Sequence, residues 1–138
     1  MSPPCDRARI SVVRVSSDPR HRLGATGEQL AAEHLTRRGF QILERNYRTR
    51  WGELDIVAFD GHTLAFCEVK TRRGSGRPVT PFESIHAAKR RQVRRMVASW
   101  MSERPGRPSA AAIRCDAIGV ILSPGGQLLA LEHLEGAF

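Results

Sequence analysis

Apolar positions along the chain change their spacing in a regular way. Around residues 27–38, Ala31, Leu35 and their neighbours recur at intervals of three and four, which predicts a helix with one buried stripe. Thr26 is placed to cap that helix with Gln29 as reciprocal partner, and Gly39 suits the left-handed position just past its end. Three strand-like runs follow, at 41–48, 53–59 and 63–71. The sequence Thr80-Pro81-Phe82-Glu83 combines a cap, a proline at the first helical position and a closing carboxylate, and predicts a helix from 81 to about 102. Its apolar stripe is Phe82, Ile85, Val93, Met96, Val97 and Trp100, with Arg90, Arg91, Arg94 and Arg95 forming an outer basic ridge. A strand at 113–122, a turn at Gly125-Gly126 and a last strand at 127–133 complete the chain. The order α-β-β-β-α-β-β predicts an α/β fold: a central mixed sheet flanked by helices, with a parallel right-handed crossover from 63–71 through the second helix to 113–122. Residues 1–22 carry arginines, prolines and serines without periodicity and predict a flexible basic arm, leaving 23–138 as one domain.

Length and charge narrow this picture. At 138 residues the chain fits a single domain. Twenty-two Lys plus Arg against 14 Asp plus Glu give a net charge of +8, which suits a polyanion such as nucleic acid as well as it suits simple solubility. Cys5, Cys67 and Cys115 are odd in number and far apart, which argues against a disulfide framework or a zinc site, and the apolar runs around Cys67 and Cys115 predict buried free thiols, as suits a reducing cytoplasm. No apolar stretch approaches the ~20 residues of a membrane span, so no membrane partner is expected. The five histidines lack ligand spacing and read as surface or polar-core groups, and the glycines at 74 and 76 lack the spacing and lysine of a P-loop.

Candidate chemistry gathers around the predicted hairpin of the second and third strands. A turn at Asp60-Gly61 makes Asp55 and Glu68 diagonal neighbours on one face, and a turn at Gly61-His62 sets them directly opposite. Only an odd-length loop would separate them, and Lys70 joins the same face two residues further on. Glu28 points inward from the first helix, although an acid in a first turn also has a plain explanation in the helix dipole. Converging carboxylates want a cation between them, and an all-oxygen set points to Mg²⁺ or Mn²⁺. An exposed Glu-x-Lys salt pair is the bland alternative.

The residues also carry a resemblance. The order Glu28, Asp55, Glu68-Val69-Lys70 resembles the PD-(D/E)XK nuclease superfamily. The strings G-E-Q-L-A-A, R-N-Y-R, G-E-L-D-I-V-A, E-V-K-T-R and R-C-D-A-I-G-V resemble more closely its YraN-like (UPF) family of small bacterial proteins, itself similar to archaeal Holliday-junction resolvases, over about residues 23–138. This resemblance implies a restriction-endonuclease-like core. It implies Glu28, Asp55 and Glu68 as metal ligands, with Lys70 positioning or activating the attacking water. It further implies that Arg72, Lys89 and Gln92 lie near the scissile phosphate or the flanking duplex. Arg48, Arg90 and Arg94 are added as candidate nucleic-acid contacts. Glu53 and Asp116 match family positions without an assigned step, Glu53 as a supporting group. Leu54 stands where the superfamily's name has proline.

The resulting expectation is a Mg²⁺- or Mn²⁺-dependent endodeoxyribonuclease acting on DNA, branched or damaged DNA included. The alternatives are a nucleic-acid-binding module that keeps the fold without cutting, and a scaffold whose basic surface meets an acidic partner. By analogy with relatives that cut both strands of a junction, a homodimer is expected.

Overall fold

The computed structural model describes residues 19–74 and 86–138. Helix α1 spans Pro19–Arg37, strands β1, β2 and β3 span Gln41–Thr49, Gly52–Phe59 and Thr63–Arg73, helix α2 spans Ala87–Glu103, and β4 and β5 span Ala112–Leu122 and Leu128–Leu134. The five strands form one sheet in the order β1-β2-β3-β4-β5. The β3–β4 pair is parallel, as the crossover through α2 predicts, and the other three pairs are antiparallel.

Helix α1 starts well before the predicted residue 27, so 19–22 of the expected arm are helical and Thr26 lies inside the helix rather than at its cap. Two forces favour the longer helix. Proline is preorganised for a first helical position, and Leu23 packs against the core cluster beneath. The helix ends as expected at Gly39, whose φ is 91°. Phe40 N–H donates to the Leu35 carbonyl (3.0 Å) and Gly39 N–H to that of Thr36 (3.1 Å), the paired bonds of a Schellman end. The caps foreseen at Thr80, Pro81 and Glu83, with Phe82 and Ile85, lie outside the described residues, as do 1–18. The described part of α2 begins at Ala87, where the His86 side chain accepts from Lys89 N–H.

The sheet is buried on both faces. Beneath α1, Leu30, Ala31 and Leu35 meet Ile56, Ala58, Ala65, Cys67, Ile118 and Val120. Beneath α2, Val93, Met96 and Trp100 meet Tyr47, Leu54, Val57, Leu64 and Phe66. Successive residues of β3 therefore enter opposite cores, which explains why its sequence runs apolar from Leu64 to Cys67 instead of alternating. Phe66 is fully buried, a burial that stabilises by about 2–3 kcal/mol. Cys67 is a buried free thiol and Cys115 a half-buried one. No helix among the described residues is long and apolar enough to cross a membrane.

Candidate metal centre

A change of phase in β1 and β2 builds the site. On β2, Leu54 enters the core under α2, while Ile56, two residues on, enters the core under α1. Regular alternation would put both on one face. On β1, Arg45 reaches Gln29 of α1 while Tyr47 reaches Ser99 and Glu103 of α2. The residues between them are Asn46 and Asp55, which oppose each other between the pairs Arg45↔Ile56 and Tyr47↔Leu54. Asn46 is left-handed, with φ 56°, the one non-glycine residue of positive φ among those described. Asparagine tolerates that region better than most side chains, and such backbone collects at functional sites.

The change of face between Leu54 and Ile56 frees Asp55 from either core. The β2–β3 register ends at Ile56↔Cys67, so Asp55 stands next to Glu68 as the Gly61-His62 turn predicts. Its carboxylate accepts from Val69 N–H of β3 at 2.7 Å, so the side chain bridges the strands where their pairing stops. Glu28 arrives from α1, and Glu53 stands two residues before Asp55. One carboxylate oxygen from each of Glu28, Glu53 and Asp55 lies within 4.8 Å of the others. With its amide nitrogen turned to the carboxylates, Asn46 donates to Glu28 (3.1 Å) and Glu53 (3.0 Å). Glu28 lies beyond the first turn of α1, which removes the dipole explanation for an acid there. Burial pushes the Asp55 carboxyl up against the pull of the Val69 N–H, and Glu28 and then Glu68 raise it further, to about 8. Crowded, half-buried carboxylates of this kind are relieved by a hard divalent cation, and an all-oxygen donor set fits Mg²⁺ or Mn²⁺.

The other predicted residues surround this cluster at different depths. Glu68 is turned to α2, where Lys89 Nζ meets its Oε1 at 2.5 Å with both side chains largely buried. Lys70 and Arg72 are exposed further along β3. Gln92 donates its side-chain amide to the Trp51 carbonyl and so ties α2 to the β1–β2 turn. Arg48 pairs with Glu53 at 3.3 Å across the hairpin. Arg90 and Arg94 are exposed on α2, and Arg94 lies close enough to Cys115 of β4 to bear on its thiol. Local sequence thus points to Glu28 and Asp55 in the converging set, gives Glu53 only a supporting place and passes over Asn46. The two-residue spacing of Glu53 and Asp55 is the signal for Glu53. For Asn46, its tolerance of left-handed backbone is the signal.

Asp116 is fully buried elsewhere, on β4. Arg114 grips it at 2.8 and 3.0 Å, Gly136 N–H donates at 3.0 Å, and the His133 ring lies 2.8 Å away. Burial alone would push its carboxyl up, but bonds from His133, Arg114 and Gly136 hold it below the ordinary value. His133 also meets His34 of α1 at 3.0 Å, so the two histidines are polar-core groups that lock α1 to β5.

The fold and the site together define a class: a five-stranded mixed α/β domain with a helix on each face, in which two carboxylates of β2 meet a third from the first helix. Residues 27–120 match the family described as "Uncharacterised protein family UPF0102", and the chain belongs to that family. A UPF0102 protein of Nocardia farcinica is 44% identical over 116 residues, covering 84% of this chain and 88% of its own. A UPF0102 protein of Renibacterium salmoninarum is 46% identical over 114 residues, 83% of this chain and 93% of its own. A UPF0102 protein of Acidothermus cellulolyticus is 41% identical and covers 89% of this chain and 98% of its own.

Proposed function

We propose that the protein is a metal-dependent phosphodiesterase acting on nucleic acid, with DNA as the first substrate to test, branched or damaged forms included. The observation that carries this reading is the convergence of Glu28, Glu53 and Asp55 beside the left-handed Asn46, whose amide reaches two of the three carboxylates. Glu28, Glu53 and Asp55 would hold Mg²⁺ or Mn²⁺, with Glu68 beside them once released from Lys89. A bound ion of this type makes water more acidic and offsets charge on a phosphate. The chain's own groups do the rest. Asn46 orients two of the carboxylates. Lys70, exposed two residues past Glu68, would orient the attacking water and offset charge growing on the phosphate. Lys89, Arg72, Arg90 and Arg94 supply cations for the flanking backbone, and Gln92 fixes the turn beside them. The resemblance of Glu28, Asp55 and Glu68-x-Lys70 to the PD-(D/E)XK pattern supports the same reading. By the same analogy, a second copy of the chain is the partner that would let two sites meet both strands.

The test incubates the purified chain with labelled duplex, single-stranded, flap and four-way-junction DNA in Mg²⁺, Mn²⁺ or EDTA, beside Asp55→Asn and Glu53→Gln. Cleavage that needs metal and disappears in Asp55→Asn is the expected result. Tight, salt-sensitive binding without cleavage by any of the proteins would replace this reading with that of a binding module on the same fold.

A further inference from the structure

The turn between β1 and β2 is built more firmly than a surface turn requires. Thr49 Oγ1 accepts from Trp51 N–H and donates to the Gly52 carbonyl, each at 3.0 Å. The Trp51 carbonyl accepts from Gln92 of α2. Gly52 has φ 137°, a conformation that side chains rarely adopt, and a Cβ there would stand 2.7 Å from the Gln92 amide, so the bond from Gln92 would have to give way. Trp51 is half-buried and packs on the core beneath α2. Its face is covered by the guanidinium of Arg50, 4.7 Å from the ring centre, and Arg50 is itself exposed. A large aromatic ring thus stands half-buried on a firmly bonded turn, two residues before Glu53 and four before Asp55.

Such a ring costs the fold exposed apolar surface, and the solvent side is closed only by a flexible cation. What a guanidinium plane covers, the flat face of a nucleobase can cover equally well, and Arg50 would then be released towards a phosphate. A base locked in a duplex stack cannot offer its face. Resting on the nucleic-acid reading above, we propose that Trp51 is a stacking platform for an unpaired nucleobase. The substrate would then be nucleic acid with single-stranded character beside the scissile phosphate, rather than uniform duplex.

Tryptophan emission reports this directly, because the other tryptophan, Trp100, is 2% exposed and stays in the core. The full chain would be titrated in EDTA, so that nothing is cut, with a short oligothymidylate, a blunt duplex, and that duplex carrying one unpaired nucleotide. Quenching by the oligothymidylate and the interrupted duplex, but not by the blunt duplex, is expected. Trp51→Phe should keep the binding preference and lose the quenching. Trp51→Ala should lose about tenfold in affinity for the unpaired probes and little for the duplex. Equal losses on every probe, or binding of the unpaired probes without quenching, would overturn the stacking role while leaving the nuclease reading intact. Failure to bind any probe would overturn the stacking role, while the metal-dependent cleavage test judges the nuclease reading separately. Should Trp51→Ala fail to fold, the comparison of the native chain with Trp51→Phe still decides.

Discussion

Asp55 carries a pH signature of its own. Its folded pKa stands above the ordinary carboxylate value, so the folded chain keeps a proton that the unfolded chain gives up. The stability this contributes is complete below the ordinary carboxylate range and is lost as pH rises towards about 8. In EDTA, the melting temperature should therefore fall across that window. Asp55→Asn should flatten the fall, and Mg²⁺ should raise the melting temperature of the native chain at pH 8 and not that of the variant. A metal effect equal in the two proteins would count against Asp55 as a ligand. Asn46 makes a separate point about backbone. Its left-handed φ of 56° disfavours residues with a Cβ and no local polar side chain. Asn46→Ala should be less stable than Asn46→Gly by about 1 kcal/mol in urea denaturation. Both variants should weaken metal binding, since both lose the amide that holds Glu28 and Glu53.

Between elements, polar side chains decide how α1 sits on the sheet. The chain His34–His133–Asp116–Arg114 joins α1, β5 and β4, and the same α1 carries Glu28. Asp116→Ala would leave Arg114 and His133 facing a vacated buried site and should cost about 3–5 kcal/mol. Asp116→Asn keeps an acceptor and should cost less, an ordering that chemical denaturation reads directly. His34 carries an acid-side signature. Burial first, then His133 and the arginines at 38 and 37, lower its pKa from 6.5 to about 4. Its contribution is therefore full above the ordinary imidazole value and is lost as pH falls towards 4, opposite in sense to that of Asp55. His34→Gln should shrink the drop in melting temperature between neutral and mildly acid pH. An unchanged drop would mean that some other group titrates there.

For the whole molecule, the net charge of +8 becomes meaningful through its placement. Arg90, Arg91, Arg94 and Arg95 are exposed on α2, the helix whose Lys89 holds Glu68 and whose Gln92 holds the turn at Trp51. If this face meets phosphate, nucleic-acid affinity should fall steeply with salt. Arg90→Ala with Arg94→Ala should then reduce the slope of log affinity against log salt by about one for each arginine that faces a phosphate. Filter binding at several salt concentrations measures this. An unchanged slope would move the electrostatic footprint off α2.

The strands, the second hairpin turn, the parallel crossover and the glycine end of α1 were legible in the sequence, because each rests on local spacing and local turn chemistry. Glu28 and Asp55 were legible as candidates for the same reason. The early start of α1 was not, because the packing of Leu23 on the core adds turns beyond the local cap signal at Thr26. The set of carboxylates that converges was not legible either. Strict alternation puts Asp55, Glu68 and Lys70 on one face, but the left-handed Asn46 shifts the phase of β1 and β2 together, sending Asp55 across to Val69 and setting Glu53 beside Glu28. Lys89 then takes Glu68. Sequence by itself determined which elements form and offered the candidate residues on them. The tertiary structure decided which of them meet, because a single kink in paired strands reassigns faces that no local pattern records.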